Sequence, residues 1–397
     1  MTSTQRTILG IYVALIVIWP IRHLVLTWAF RRLDYLNPKS PRWTQADFPL
    51  VTAIIPAKDE EATLADCLRS VQAQSYPNLE ILIVDDRSTD GTPAIARAIA
   101  AADPRVRVVT IEDLPPGWTG KTHALHVAVH EARGAWFWFI DADTRHEADS
   151  LSIVLEYARA HGAEMASLLP ELRCETFWES VVQPLAGIVL IQSYPLFWCN
   201  DPKWPKMAFA NGQYILIHRD AYHQAGGHEA VRDKFVEDIY LAKRVKAVGL
   251  SSRTAIAHGI GSTRMYTSLP QITRGWSRIL YDALGRNPWL LGWQALDPLL
   301  FSQSAHVAFV AAVVMLLLGT PAGPFAWTLL GLSIIHHILA YTCLYRLYIL
   351  SVPRTRHVAW YPLAGLVVDV ILYRAIRMCW TGQVTWRGTA YAEKPTL

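Results

Sequence analysis

Long apolar stretches lie at both ends of the chain, and the region between them alternates between short apolar and polar segments. Residues 8–30 are interrupted only by Arg22 and His23. Residues 298–319 contain no Asp, Glu, Lys or Arg, and residues 325–345 form a further apolar span. Each stretch is long enough to cross a bilayer as a helix. The pattern predicts an N-terminal anchor without the small-residue cleavage site of a signal peptide, and a C-terminal transmembrane hairpin.

Three further apolar segments are less regular. Residues 357–380 are interrupted by Asp369 and two arginines, so they span the membrane, re-enter it or lie in its interface. The aromatic stretch at residues 177–198 is interpreted as a helix on the membrane surface, with a core helix as the alternative. Residues 266–297 share this aromatic character and are assigned to an interfacial segment. Proline and glycine at residues 320–324 predict the turn of the hairpin.

The middle of the chain has the periodicity of alternating strands and helices. Apolar runs predict strands at residues 50–56, 79–84, 105–111 and 136–140, and helical periodicity predicts helices at residues 60–74, 92–102 and 122–133. This alternation is typical of right-handed parallel crossovers, and it predicts a doubly wound α/β nucleotide-binding domain. No G-x-G-x-x-G turn follows the first strand and no P-loop occurs, so the sequence supports neither a dinucleotide dehydrogenase nor a P-loop NTPase.

Composition and charge agree with a membrane protein that carries a soluble middle region. Of the 397 residues, 52% are hydrophobic and 18% charged, which is too apolar for an ordinary soluble protein. Basic residues follow the first and third spans, so we predict a multi-pass protein whose middle region faces the cytoplasm, as in a bacterial inner membrane. The net charge of +4 suits a surface on anionic lipid, and no basic, aromatic-interleaved stripe indicates nucleic-acid binding. Five widely spaced cysteines predict packed, reduced thiols.

Carboxylates follow three of the predicted strands. Asp59 follows the first, Asp86 ends the second, and Asp141 and Asp143 follow the fourth. Ligands of open α/β sheets bind outside the carboxyl ends of strands, and carboxylates at i and i+2 suit Mg²⁺ or Mn²⁺ completed by substrate phosphates. Lys121 opens a predicted helix, where a cation suits a diphosphate. The alternatives are solvated aspartates and a solvated loop lysine.

Four segments together resemble the family 2 inverting glycosyltransferases. They are IIPAKDE from Ile54, VDDRSTDGT from Val84, DAD at Asp141 to Asp143, and ED at Glu237 and Asp238, and the match extends over about residues 49–265. The segments GWTGK at 117–121 and LRCETFWE at 172–179 are similar to the hopene-associated and carotenoid-type members, which are membrane enzymes that act on lipids. The resemblance implies a GT-A domain.

The resemblance also implies a role for each matching residue. Donor-binding residues would be Pro56, Ala57, Asp59, Asp86, Lys121, Asp141 and Arg274. Asp143, with Asp141, would hold Mg²⁺ or Mn²⁺ across the donor diphosphate. Asp238 would act as the general base on the acceptor hydroxyl, with Glu237 beside it. Asn211, Gly212, His228 and Trp276 would line the acceptor site. The alternatives are a helix cap for Asp86, helix-start charges for Glu237 and Asp238, and a structural Gly-Gly turn before His228.

One departure from the family pattern concerns the segment Gln-x-x-Arg-Trp. Here a glycine separates Arg274 from Trp276, which argues against a cellulose-, chitin- or hyaluronan-type synthase. Few helices are present for a polymer channel. The tail at residues 385–391 resembles a further short motif whose role the sequence does not indicate.

The sequence thus predicts a membrane-bound, metal-dependent inverting glycosyltransferase that moves a sugar from a nucleotide sugar, most simply a UDP-sugar, to a lipid hydroxyl. The predicted parts are an anchor and linker (1–48), the GT-A domain (49–265), an interfacial segment (266–297), a transmembrane region (298–380) and a tail (381–397). The alternatives are a polyprenyl-phosphate or polysaccharide glycosyltransferase, and a non-catalytic membrane scaffold on the same fold.

Overall fold

The computed structural model describes residues 1–319, 323–352, 355–386 and 389–392. The chain divides into two compact units. The first, here called the sheet unit, comprises Leu33–Arg173 and Ile191–Met265. The second, here called the helical unit, comprises Met1–Arg32, Cys174–Leu190 and the described residues from Tyr266 onward. The segment 174–190 therefore groups with the terminal helices, although the sequence assigned it to the GT-A domain.

The sheet unit contains one large and one small β-sheet. Its strands are β1 Tyr35–Leu36, β2 Val51–Ala57, β3 Leu79–Asp86, β4 Val106–Ile111, β5 Trp136–Phe139, β6 Thr144–His146, β7 Met165–Leu169, β8 Glu171–Leu172, β9 Ile215–His218, β10 Ser252–Ala257 and β11 Gly261–Thr263. The large sheet has the order β1-β10-β7-β9-β5-β2-β3-β4, and the small sheet has the order β6-β11-β8.

The large sheet is mixed, because β9 runs antiparallel to both of its neighbours. β2 pairs in parallel with β3 and β5, and β3 pairs in parallel with β4. β9 pairs antiparallel with β5 and β7, and Phe139 at the end of β5 faces Ile215 at the start of β9. The carboxyl ends of β2, β3 and β5 and the amino end of β9 therefore meet at one edge of the sheet.

The central strands are mostly apolar because both faces of the sheet are covered. Successive residues of β2 enter opposite cores: Val51, Ala53 and Ile55 pack on one face, and Ile54 packs on the other. The covering helices are α2 Leu64–Gln72, α3 Thr92–Ala102, α4 Gly120–Glu131 and α5 Ser150–Ala160, followed by α7 Leu196–Cys199, α8 Arg219–Gln224 and α9 Glu237–Ala247. The predicted α/β fold class is confirmed, and the four predicted strands lie within about two residues of the observed β2, β3, β4 and β5.

The helical unit contains the elements that the sequence assigned to the membrane. They are α1 Ser3–Phe30, α6 Phe177–Ser193, α10 Leu269–Ala283, α11 Pro288–Asp297, α12 Ser304–Leu317, α13 Gly323–Tyr348, α14 Tyr361–Thr381 and a hairpin of β12 Gln383–Trp386 and β13 Thr389–Ala392. Within the described part of the chain, three helical segments are long and apolar enough to span a membrane: Ser3–Phe30, Pro288–Leu317 and Gly323–Tyr348. The predicted turn at 320–324 and the tail motif at 385–391 lie partly outside the described residues.

Two segments differ from their sequence-based interpretation. α6 buries ten of its seventeen residues, including Glu179 and Gln183, which favours the alternative of a core helix over a helix on a membrane surface. The predicted boundary at residue 297 falls inside a continuous helical segment, since α11 passes through π-helical turns at Pro298–Gln303 into α12. The apolar span therefore begins at Pro288 rather than Pro298.

The polar residues of the first apolar stretch have partners in the helical unit. Trp19 Nε1 donates to His336 Nε2 at 2.7 Å, and Arg22 forms an ion pair with Asp297. His23 lies 3.2 Å from the carbonyl oxygen of Leu339. Polar groups in apolar surroundings are costly unless they are paired, so these contacts bind α1 specifically to the other helices of the unit.

Glu80 illustrates how the sheet unit stabilises a buried charge. Its carboxylate accepts hydrogen bonds from Thr52 Oγ1 at 2.7 Å and from the Arg133 backbone N–H at 3.0 Å, and it forms ion pairs with Arg107 and Arg133. Burial opposes ionisation, but the hydrogen bonds from Thr52 and Arg133 outweigh it and hold the pKa of Glu80 below its usual value. The lowered pKa contributes stability at neutral pH that is lost as the pH falls through it.

We expect Glu80→Gln to lower the free energy of unfolding of the sheet unit by about 1–3 kcal/mol at neutral pH, because the ion pairs lose one partner. Urea unfolding of the purified chain in detergent, followed by circular dichroism, measures the change. The deficit should shrink at acidic pH, where the wild-type carboxylate is also protonated. Glu131→Gln is the matched control, since that exposed side chain lies 3.6 Å from Arg107 and should change stability by less than about 0.5 kcal/mol.

Candidate functional site

Hydrogen bonds connect the loop after β2 to the loop after β3. Asp59 has a positive φ of 52°, and its Oδ1 accepts hydrogen bonds from Thr89 N at 2.8 Å and Thr89 Oγ1 at 3.1 Å. Lys58 Nζ donates to the carbonyl oxygens of Asp86 and Arg87. The Asp59 carboxylate that the sequence assigned to a ligand therefore holds the loop after β3.

Asp86 lies at the carboxyl end of β3 with 3% of its surface exposed. Its Oδ1 accepts from Arg87 Nε at 2.8 Å. A Cβ atom on Gly120, the first residue of α4, would lie 2.5 Å from Asp86 Oδ2. Only glycine therefore lets the amino end of α4 approach this carboxylate, and the two together form one wall of the site.

Asp141 and Asp143 lie in the turn between β5 and β6, as predicted. Thr144 Oγ1 donates to the Asp141 carbonyl oxygen at 2.7 Å, which fixes the turn. Asp143 Oδ1 lies 3.5 Å from Thr263 Oγ1 of β11. Asp141 Oδ1 lies 2.6 Å from Lys121 Nζ.

Lys121 is a helix residue with a largely buried side chain, and not the solvated loop residue of the alternative interpretation. It is the second residue of α4, its side chain is 17% exposed, and Nζ lies 2.6 Å from Asp141 and 2.7 Å from Glu237. Burial disfavours the charged form, but the attraction of Asp141 and Glu237 outweighs it and raises the pKa of Lys121 above its usual value. The ammonium is therefore permanently charged and joins two carboxylates from distant parts of the chain.

Asp238 lies in the first turn of α9, close to the ion pair of Lys121 and Glu237. Its Oδ2 accepts from Gly212 N at 2.6 Å, and its Oδ1 accepts from Ile239 N at 2.8 Å. Removal from water and the neighbouring Glu237 raise the pKa of Asp238 to about 7, against the opposing effect of Lys121 and the two backbone N–H groups. A carboxylate tuned in this way can accept and release a proton near neutral pH.

Gly212 precedes β9 and brings the backbone close to the charged cluster. A Cβ atom there would lie 2.8 Å from Lys121 Nζ and 3.3 Å from Asp238 Oδ2. The neighbouring Asn211 side chain is engaged locally, since its Oδ1 accepts from Gln213 N and its Nδ2 donates to Gln213 Oε1. Gly212 thus contacts the cluster through its backbone, while the amide of Asn211 shapes the turn.

His228 is a buried, neutral residue at the inner side of the site. It is 1% exposed, and its Nδ1 lies 2.9 Å from the hydroxyl oxygen of Tyr222. Burial, with a smaller contribution from Lys121, lowers the pKa of His228 to about 3. Gly226 and Gly227 both have positive φ, and a Cβ atom on Gly227 would overlap the Tyr222 ring. The Gly-Gly turn therefore has a structural reason, and it places His228 against the site.

Several of these residues line one narrow cleft in the sheet unit. Its lining consists of Pro56, Lys121, Leu125, Phe139, Ile140, Asp141, Gly212, Ile215, His228 and Glu237. Six of these ten positions were selected from the sequence as site residues. The apolar remainder, which comes from strands and from α4, gave no signal in the sequence beyond that of ordinary core residues.

Arg274 and Trp276 belong to α10 in the helical unit. Trp276 is 4% exposed, so no face of its ring is open for the predicted stacking on a ligand. The glycine between them has a physical cause, because a Cβ atom on Gly275 would overlap the ring of Tyr266. The inserted glycine is therefore explained by packing within α10 and the segment before it.

Comparison with known proteins adds three findings. Residues 52–226 match the family described as Glycosyl transferase family 2. The chain is 25% identical over 240 residues to the 4,4'-diaponeurosporenoate glycosyltransferase of Staphylococcus aureus, and the match covers 59% of this chain and 62% of that relative. The structure is similar to a mannosyltransferase from Pyrobaculum calidifontis solved with GDP-Man and Mn²⁺, with a TM-score of 0.51 and 20% identity over 83% of this chain and 97% of that chain.

Proposed function

We propose that this chain, whose residues 52–226 form a family 2 glycosyltransferase domain of the GT-A type, transfers a sugar with inversion from a UDP-sugar to a hydroxyl group of a lipid. The observation that carries the proposal is the charged cluster of Lys121, Asp141, Glu237 and Asp238. It lies where the carboxyl ends of β2, β3 and β5 meet, the usual place for ligands of such sheets. Asp86 lies next to this charged cluster, with the first turn of α4 between them.

The donor would bind along the edge formed by β3 and α4. Asp86 accepts hydrogen bonds and suits the imide N–H or hydroxyl groups of a nucleoside. The amino end of α4 and the Lys121 ammonium suit the negative charge of the diphosphate. Gly120 allows both features to coexist, because it leaves room for the Asp86 carboxylate.

We expect Gly120→Ala to raise the KM for the nucleotide sugar about tenfold, since the new methyl group would displace Asp86 and weaken a hydrogen bond to a charged group. Initial rates at varied donor concentration measure the effect. Gly261→Ala is a control in the same unit, because its nearest neighbour atom would lie 3.6 Å away. An unchanged donor KM in Gly120→Ala would argue against a donor site at this wall.

A divalent cation fits the residues at the β5–β6 turn. Among residues 1–319, 323–352, 355–386 and 389–392, no three His, Cys, Asp or Glu residues gather as a metal cluster. Mg²⁺ and Mn²⁺ are commonly held by one or two carboxylates completed by substrate phosphates, which matches Asp143 with Asp141. When bound, the cation would neutralise charge on the departing nucleoside diphosphate. The family resemblance of the Asp141–Asp143 segment implies Asp143 as the principal ligand, with Asp141 beside it.

Asp238 would be the general base of the transfer. As the acceptor oxygen bonds to the anomeric carbon, the bond to the diphosphate breaks and Asp238 takes the hydroxyl proton. Attack from the face opposite the leaving group inverts the configuration and needs a single base. Lys121 holds Glu237 in place beside Asp238, and the Gly212 N–H orients the Asp238 carboxylate.

A lipid acceptor follows from two observations. Three helices among the described residues are long and apolar enough to span a membrane, and a relative at 25% identity is named for its action on diaponeurosporenoate, a carotenoid-type lipid. That name denotes a carboxylate acceptor, so a lipid carboxylate is the second candidate. A carboxylate carries no proton to remove, so transfer to it would not require Asp238 as a base.

The proposal is tested by incubating the purified full-length chain in lipid nanodiscs with labelled nucleotide sugars, Mn²⁺ and a membrane lipid extract. We expect labelled glycolipid with a UDP-sugar, and mass spectrometry of the product distinguishes a glycosidic linkage to a hydroxyl from an ester linkage to a carboxylate. Label in polyprenyl phosphate or in polymer would instead support those acceptors. Absence of both transfer and Mn²⁺-dependent UDP binding by calorimetry would favour a non-catalytic scaffold.

A further inference from the structure

The sheet unit carries an exposed aromatic and basic segment that the transfer reaction does not use. Pro202, Lys203, Trp204, Pro205 and Lys206 are exposed in succession. Trp204 is 47% exposed and packs against Trp198, which is 37% exposed, with ring centroids 5.2 Å apart. We call residues 198–206 the tryptophan platform. Exposing two neighbouring indole rings to water is unfavourable, so we expect a membrane or another molecule to cover this surface.

A buried lysine holds the tryptophan platform in one conformation. Lys246 of α9 is 7% exposed, and its ammonium donates to the carbonyl oxygens of Cys199, Asp201, Trp204 and Met207 at 2.8–3.2 Å. The Asp201 carboxylate also accepts from Lys203 N at 2.9 Å. The segment is thus preorganised, and little conformational entropy remains to be lost when it binds.

The chemistry of the platform fits the headgroup region of a bilayer. Tryptophan side chains concentrate at this depth because they combine an apolar ring with a polar N–H. Lys203 and Lys206 flank Trp204 and are suited to anionic headgroups. The platform also begins five residues after α6, most of which belongs to the helical unit.

We propose that the tryptophan platform docks the sheet unit on the surface of an anionic bilayer, with Trp198 and Trp204 in the headgroup region and both lysines on lipid phosphates. The inference rests on the membrane-spanning character of the terminal helices and is independent of the proposed transfer reaction. A protein or nucleic-acid partner would bind the same exposed side chains without a requirement for anionic lipid, so lipid composition distinguishes them.

The test is lysine acylation of the full-length chain reconstituted in vesicles of phosphatidylcholine alone or mixed with phosphatidylglycerol. Mass spectrometry gives the acylation rates of Lys203 and Lys206, with the exposed Lys39 as the internal reference. We expect both rates, relative to Lys39, to fall at least about threefold when phosphatidylglycerol is present.

A Trp198→Ala, Trp204→Ala double variant is the matched control, because both indoles are exposed and the Lys246 hydrogen bonds involve only backbone carbonyl groups. The double variant should fold normally and lose most of the protection. That loss would exclude a simple effect of the vesicle surface charge on amine reactivity. Equal rates in the two vesicles for the wild-type chain would overturn the proposal. Equal protection in the wild-type chain and the double variant would also overturn it, as would protection by an oligonucleotide without anionic lipid.

Discussion

Asp143→Ala is expected to reduce glycosyl transfer about a thousandfold, because loss of the principal metal ligand removes several kcal/mol of stabilisation from the leaving diphosphate. The fold should persist, since the side chain lies in a turn whose backbone is fixed by Asp141 and Thr144. Turnover is measured with saturating donor and Mn²⁺, and calorimetry measures whether Mn²⁺ still strengthens UDP binding.

Two variants accompany Asp143→Ala. Asp141→Asn should cost less activity, because the family resemblance implies Asp143 as the principal metal ligand and Asp141 as its neighbour. Asp113→Ala removes an exposed loop carboxylate and should leave transfer unchanged. Full activity in Asp143→Ala would rule out a metal held at this turn.

Asp238→Asn is expected to lower kcat by about 10²–10⁴-fold while leaving the affinity for UDP unchanged, since an amide cannot take the acceptor proton. In the wild-type chain, kcat should rise with pH through the neutral range. The sign follows from the raised pKa, which keeps Asp238 protonated and inactive as a base below about pH 7 and ionised above it. Steady-state rates over that pH range, together with UDP titrations, measure both effects.

Glu237→Gln provides the matched test of the cause. Glu237 contributes to the raised pKa of Asp238, so its neutralisation should move the rising limb to lower pH. A flat pH profile in the wild-type chain, with unimpaired Asp238→Asn, would contradict a general base and would point to a carboxylate acceptor.

Part of the fold could be predicted because strands that are buried on both faces appear in the sequence as runs of apolar residues. β2 and β3 are buried on both faces, so their apolar runs predicted strands close to the observed ones. The four-residue β9 was missed, because a short apolar run gives no periodicity and its antiparallel direction depends on long-range pairing. α6 was assigned to a membrane surface because aromatic composition does not distinguish that location from a protein core.

The sequence proposed residues for the candidate site, but not the contacts between them. Carboxylates at strand ends selected Asp86, Asp141 and Asp143 as candidates, since parallel strands bring their carboxyl ends together. The two ion pairs of Lys121 could not be predicted from the sequence, because Asp141 and Glu237 approach it only through the packing of α4, α9 and β5. The hydrogen bonds of Asp59 to the next loop likewise depend on tertiary structure.

The pairing of α1 with the rest of the helical unit bears on how this protein can be prepared. Deleting the first thirty-two residues would leave Asp297 without its arginine partner and would remove Trp19 from His336. The shortened chain would then expose polar groups to lipid or detergent, and each uncompensated group costs free energy. We therefore expect truncation at the amino terminus to yield an aggregating protein rather than a soluble enzyme, so biochemical work requires the intact chain.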